Sequence, residues 1–280
     1  MLIKLSREII GLLLLIVVAC QKEYPIDEYS DFKSQPVLSG FVSPQEGVTL
    51  YFRKTLSPSG GPQDYLITGA NIFLTSRNND TTTLTEELPG KYLGSYDFED
   101  DQNFQVTGIT IQGQEVQSHF LTIPSLPNFK VLLDSTSGQF IYFKSIIEVN
   151  PREKEWYWLR FSGDSLPNYL DLQDFQNYNL CEANTFTASN SMVFSTACSS
   201  QKILSLPFRA GYFDRNPLPQ TLKFELTRIE TTFVDYLLSI QDASDFDYLF
   251  VEPSAPASNL SNNIGYIATL NLADTIMILK

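Results

Sequence analysis

Short runs in which apolar and polar residues alternate dominate this chain, and clusters of turn residues separate them. In the first half such runs occupy residues 37–42, 47–52, 70–76, 104–111 and 115–123. Period-two alternation is the pattern of a half-buried strand, and turns about every 8–12 residues are typical of a β-sandwich. The sequence therefore predicts a mainly β chain, in which residues 35–127 form an Ig-like β-sandwich domain.

Residues 128–280 are predicted to form a second β-rich domain with one short helix. Residues 164–200 lack periodicity, which indicates a long loop excursion. The helix is expected at 232–243, with Thr232 as its cap and an apolar face that includes Phe233. The predicted strands are 140–149, 156–161, 222–229, 264–270 and 275–279, and the first two are expected to pair with each other.

The first twenty residues indicate export and lipid attachment. Basic residues precede an apolar run at 11–19 (GLLLLIVVA), which is shorter than the roughly 20 apolar residues of a membrane span. Residues 17–20 (VVAC) resemble the lipobox of bacterial lipoproteins, so residues 1–19 are expected to be a signal peptide and Cys20 to carry lipid. The alternative is an ordinary secretory signal followed by a chance cysteine.

Residues 20–34 are expected to be a lipidated tether. Residues 21–23 (QKE) are similar to the start of the lysine-plus-acidic tether with which Bacteroidota lipoproteins reach the cell surface, although Tyr24 and Pro25 interrupt the acidic run. The tether therefore predicts a lipid-anchored protein of the outer membrane that faces the cell surface. A plain polar linker without a surface signal is the alternative.

The charge and the apolar content of the chain argue against two classes of protein. The formal net charge is −13, which disfavours contact with phosphate backbones and anionic lipid headgroups, so nucleic-acid binding is not expected. Apolar residues make up 43% of the chain and aromatic residues 13%, so packed cores are expected rather than disorder. The expected membrane contact is the lipid on Cys20.

Cys181 and Cys198 remain as an even pair once Cys20 carries lipid. In an oxidising compartment such a pair is expected to form a disulfide, which would contribute roughly 3 kcal/mol by restricting the unfolded chain. The rival interpretation is a metal site, but His119 is the only histidine and a zinc site needs about four ligands. No metal and no cofactor is therefore predicted.

Two groups of aromatic residues are candidates for contact with a ligand or partner. Residues 156–158 (WYW) place aromatic side chains on both faces of one predicted strand, so either both faces are buried or one face is ligand-facing. Tyr169, Phe175 and Tyr178 lie in the loop excursion, and loops on rigid β scaffolds often carry recognition. The loop is the predicted contact surface.

Sequence motifs of catalysis are not found. A Ser-His-Asp arrangement needs a base, and His119 lies in a strand-like run without a nucleophile motif. We expect His119 to be an exposed or hydrogen-bonded strand residue, and the protein not to be an enzyme. Carboxylate pairs of the glycoside-hydrolase kind stay open, because two acids that are distant in sequence can meet in space.

Several short motifs resemble those of known families. Residues 69–72 (GANI), 84–86 (LTE) and 89–92 (PGKY) resemble the transthyretin-like and carboxypeptidase-regulatory sandwich pattern. Together with the lipobox and residues 254–260 (SAPASNL), they make the chain similar to an uncharacterised family of Bacteroidota lipoproteins, domain of unknown function 4249. Members of that family are often encoded beside TonB-dependent outer-membrane receptors, so the resemblance implies an accessory role and transfers no catalytic residue.

The preferred functional prediction is a binding protein that is accessory to a TonB-dependent transporter. It depends on the lipobox, on the resemblance and on the two-domain β layout. The alternatives are a surface hydrolase that acts on glycans or peptides, and a structural or adhesive envelope lipoprotein.

Overall fold

The computed structural model confirms the predicted fold class. The chain is mainly β, with 57% strand and 5% helix. No helix in the described part of the chain is both long and apolar enough to cross a bilayer. The residues that the structure describes are 33–55, 65–98, 103–163, 169–172, 183–186, 191–212, 218–244 and 256–279.

Nine strands form the N-terminal half. They are β1 (Pro36–Ser43), β2 (Gly47–Lys54), β3 (Asn71–Ser76), β4 (Thr81–Thr83), β5 (Thr85–Leu88), β6 (Lys91–Gly94), β7 (Asn103–Ile109), β8 (Glu115–Gln117) and β9 (Leu121–Thr122).

Ten strands and one helix follow. They are β10 (Phe129–Ser137), β11 (Phe140–Glu148), β12 (Trp156–Gly163), β13 (Tyr169–Leu172), β14 (Ala183–Phe186), β15 (Ser191–Ser195), β16 (Ile203–Gly211), β17 (Thr221–Ile229), α1 (Thr231–Ser244), β18 (Ile267–Thr269) and β19 (Ala273–Ile278).

The first sandwich consists of two facing sheets. Their strand orders are β18-β1-β2-β6-β5 and β4-β3-β7-β8, with β9 beside β7. Alternating residues of each sheet meet in one core, which includes Leu38, Leu50, Phe52, Ile72 and Phe104, all fully buried. The period-two pattern in the sequence therefore corresponds to one buried face on each strand.

The second sandwich also has two sheets. Their strand orders are β10-β11-β16-β13 and β14-β15-β12-β17-β19. Phe143 lies at the centre of the core, with its ring centroid 4.8 Å from that of Phe224, 5.4 Å from Phe208 and 5.7 Å from Phe161. Rings from both sheets thus interdigitate between the layers.

The predicted pairing of the strands at 140–149 and 156–161 is wrong. β11 pairs with β10 and β16, whereas β12 pairs with β15 and β17 in the opposite sheet. Residues 149–155 are too long for a tight hairpin turn and carry the chain from one layer to the other. β11 and β12 consequently face each other across the core, through Phe143 and Phe161.

The C-terminal segment returns to the first sandwich. β18 pairs in parallel with β1, and Gly40 lies opposite Ile267. Leu260 and Ile267 are buried in the first core, although both lie beyond the predicted domain boundary at 127/128. The buried Asn259 side chain holds this return, because it exchanges two hydrogen bonds with the backbone of Ile267. The first sandwich therefore includes residues from both ends of the described chain.

The predicted cap of the helix, Thr232, is wrong by two residues, because Glu230 occupies the capping position. α1 begins at Thr231, and the Glu230 carbonyl accepts hydrogen bonds from the backbone N–H groups of Phe233 and Val234. The Thr232 hydroxyl is instead 2.8 Å from the Tyr266 hydroxyl. A tertiary partner therefore takes the hydroxyl that local sequence assigns to the cap.

Candidate binding surface

The two tryptophans of β12 lie at the junction between the sandwiches. Trp156 and Trp158 are 5% and 6% exposed, and they pack with residues of α1 and β18. On the other face of β12, Tyr157, Leu159 and Phe161 belong to the second core. The alternative in which the strand is buried on both faces is thus confirmed, and the tryptophans are not ligand-facing.

An aromatic ladder holds the junction together. The ring centroid of Phe233 is 5.6 Å from that of Trp158 and 5.2 Å from that of Tyr266, and Tyr236 stacks on Tyr266 at 5.0 Å. Burial raises the pKa of the Tyr266 hydroxyl to about 12, so this phenol stays neutral in the physiological range. The ladder joins α1, β12 and the segment before β18 into one apolar layer.

A polar seam continues the junction. Arg160 Nη2 of β12 lies 3.6 Å from the Glu46 carboxylate in the β1–β2 turn and 3.1 Å from Glu225 of β17. The buried Asn271 side chain donates to the Pro124 carbonyl and accepts a hydrogen bond from Gln45. Because these contacts connect turns, linker and strands of both sandwiches, the outer face of β12 is an internal surface, whereas the outward residues of the edge strand β19 in the same sheet are exposed.

The opposite side of the second sandwich is the candidate binding surface. In β11 the core residues alternate with half-buried or exposed ones, and β10 and β16 continue this outward row. None of the outward side chains belongs to an apolar core cluster of the described residues. We call this side the free face, and define it by Lys130, Leu132, Tyr142, Lys144, Ile146, Ser205 and Pro207.

One end of the free face carries an aromatic and arginine cluster. The Arg209 guanidinium lies 5.2 Å from the Phe140 ring centroid, and the Phe140 and Tyr142 rings are 6.3 Å apart. A cation held over a ring in this way loses little freedom when a partner binds it. The cluster can therefore offer apolar area beside a guanidinium group.

One residue of the predicted contact surface, Tyr169, lies beside this cluster in the strand register. Tyr169 pairs with Gly211 on β16, and Gly211 pairs with Phe140 on β11. Tyr169 is thus in a strand rather than in a loop, at the register position beside the cluster. Phe175 and Tyr178 lie outside the described residues, so that part of the surface stays a prediction.

The sequence predicted the strand β11 but did not show which of its two faces points away from the core. The run 140–148 (FIYFKSIIE) contains apolar residues at both parities, so alternation alone does not tell the core face from the outward one. The pairing with β16 decides this, because it places Phe143 opposite the core residue Phe208 and Tyr142 opposite Arg209. A count of charged residues by parity, which separates Lys144 from Phe143, is the signal that could have found it.

The structure describes some of the other predicted site residues, and the rest lie outside the described part of the chain. Cys20 and Cys181 lie outside the described residues. Cys198 is disulfide-bonded, but its predicted pairing with Cys181 stays a prediction. His119 is exposed, and its backbone N–H donates to the Asn259 carbonyl at 2.8 Å. In the described part of the chain no group of three or more His, Cys, Asp or Glu residues is placed to hold a metal ion.

Comparison with known proteins identifies one family. The family model described as "Domain of unknown function (DUF4249)" matches residues 21–275. No curated protein matches the chain. The match spans both sandwiches and the returning C-terminal segment.

Proposed function

We propose that this chain, which belongs to the DUF4249 family, is a lipid-anchored binding protein that acts outside the bilayer without catalysis of its own. Lipid on Cys20 would hold the protein at the outer membrane, facing the cell surface. The two joined sandwiches would then present the free face to a partner.

The observation that supports this proposal most directly is the difference between the two outer sides of the second sandwich. On one side the central strand β12 is covered, because Trp156 and Trp158 pack against the first sandwich and α1. The other side carries Phe140, Tyr142 and Arg209 in half-buried positions. Aromatic residues and arginine are the types enriched at binding hot spots.

A TonB-dependent outer-membrane receptor is the proposed partner. The family resemblance supports it, since relatives are often encoded beside such receptors. Charge supports the choice of surface, because the chain as a whole carries a net charge of −13 whereas the free face contains Lys130 and Lys144. A locally basic and aromatic surface on an acidic protein can direct one orientation of approach.

The test is recovery of tagged full-length protein from gently solubilised outer membrane, followed by mass spectrometry. We expect a β-barrel receptor in near-equal amount with the wild-type chain. Lys144→Glu on the free face should reduce that recovery severalfold, while Lys54→Glu, an exposed lysine of the first sandwich, should leave it unchanged. Wild-type protein that is recovered without a barrel would contradict the receptor, and equal recovery with both variants would contradict the free face.

A further inference from the structure

A second feature lies where the linker between the sandwiches meets the end of β17. There a cavity of about 410 Å³ opens beside residues 124–128. The cavity is shallow and widely open to solvent, and its volume lies within the range of about 300–1,000 Å³ that is typical of small-molecule sites. Its lining includes Leu126, Val149, Asn150, Pro151, Lys202 and Arg228.

Arg228 in this cavity is held by a buried carboxylate. Its Nη2 lies 3.0 Å from Glu155 Oε1, and its Nη1 donates to Ser125 Oγ at 2.8 Å. The guanidinium also lies 5.9 Å from the ring centroid of Tyr157. The Glu155 side chain is only 4% exposed, whereas that of Arg228 is 31% exposed. The buried Glu155 carboxylate therefore holds the Arg228 guanidinium from the protein interior, and part of the Arg228 side chain stays accessible to solvent.

The second oxygen of the Glu155 carboxylate is held by local donors. Its Oε2 accepts hydrogen bonds from the Tyr157 hydroxyl at 2.9 Å and from the Asn150 backbone N–H at 3.2 Å. Burial, with the neighbouring carboxylate, raises the pKa of the Tyr157 hydroxyl, so it remains a donor. A buried ion pair is weak evidence of stabilisation, because desolvation offsets its attraction. What this pair does is fix the direction of the guanidinium.

The remaining charges of the cavity favour an anion with a single negative group. Lys202 is exposed, and the ion pairs among the described residues do not include it. Glu148 also lines the cavity, and its Oε2 accepts a hydrogen bond from Asn128 at 2.8 Å. Glu148 would repel a second negative group of a ligand. Leu126, which is 56% exposed, and Pro151 offer apolar contact beside the cations.

We infer that this cavity binds a monocarboxylate with an apolar tail, its carboxylate on Arg228 and Lys202 and its tail on Leu126 and Pro151. Arg228 presents a planar fork that matches a carboxylate, and Lys202 adds a mobile point charge. This site goes beyond the proposed function, because it requires no receptor and lies at the linker rather than at the aromatic end of the free face.

Hexanoate is the probe, titrated by calorimetry into the full-length chain at low ionic strength. We expect saturable binding that weakens as sodium chloride is added, and no saturable binding of hexan-1-ol or of inorganic phosphate. Lys202→Ala should weaken hexanoate binding roughly threefold, the loss expected for a partly exposed ion pair. Lys144→Ala, a lysine of the free face outside the cavity lining, should leave it unchanged.

Arg228→Lys provides the second variant, since it keeps the charge beside Glu155 and removes the fork. It should bind hexanoate more weakly than the wild type, with an unchanged fluorescence spectrum of Trp156 and Trp158 at the junction as the check of folding. Equal binding of hexanoate and hexan-1-ol, a preference for phosphate, or full affinity in both Lys202→Ala and Arg228→Lys would overturn the inference. Loss of receptor recovery in the membrane experiment leaves this result untouched, so the two proposals fail separately.

Discussion

Leu260→Ala tests whether the returning segment completes the first sandwich. Leu260 is fully buried in the first core, and its backbone forms a bridge with Ser118. Buried Leu→Ala changes cost about 2–5 kcal/mol, from lost transfer energy plus the cavity that remains. We expect a loss in the upper half of that range, because Asn259 and the β1–β18 pairing hold the backbone in place and hinder collapse of the cavity.

Urea unfolding followed by two signals measures this effect. Far-UV circular dichroism reports the strands of the whole chain. Tryptophan fluorescence reports the junction alone, because the only two tryptophans are Trp156 and Trp158. If the return segment couples the sandwiches, Leu260→Ala should shift both transitions to lower urea by the same amount, although Leu260 lies in the other core.

Leu88→Ala is the matched control for Leu260→Ala. Leu88 belongs to the same sandwich but is 57% exposed, so the same substitution should change the free energy of unfolding by less than about 0.5 kcal/mol. The reasoning is refuted if Leu260→Ala leaves the fluorescence transition unchanged while circular dichroism loses part of its signal early. That outcome would mean that the first sandwich unfolds without disturbing the junction.

Three further predictions follow from single residues. Gly40→Ala should lower the free energy of unfolding by more than about 1 kcal/mol in urea titration, since Gly40 has φ +149° and an added Cβ would overlap the Thr49 carbonyl oxygen; an unchanged midpoint would contradict this. The folded state holds the Tyr266 proton more tightly than the unfolded chain, whose phenol titrates near 10, so stability should be lost as pH rises from 10 towards 12. Tyr266→Phe should lose less over that range, and identical pH profiles would count against the buried phenol. Cys20→Ala should abolish metabolic labelling with palmitate and release the protein from membranes, and retained labelling would place the lipid elsewhere.

Local sequence determined most of the secondary structure. Alternation within runs such as 47–52 requires only that one side of a strand be buried, and this property is carried by the run itself. The mainly β class and the helix after residue 230 were therefore predictable. The position of the cap was not, because the helix begins at Thr231, one residue before the predicted cap, and the Thr232 hydroxyl lies 2.8 Å from that of Tyr266, 34 residues away in sequence.

Tertiary structure decided which strands meet and which faces stay outside. β11 and β12 are consecutive in sequence, yet β11 pairs with β10 and β16 whereas β12 pairs with β15 and β17. The short β18 is a strand of the first sheet because β1 offers it a free edge. Trp156 and Lys144 are both outward residues of the second sandwich, but the first is buried at the junction and the second is half-buried on the opposite side. Burial on an outer face depends on what packs there across long sequence separations, and a local pattern carries no information about such a neighbour.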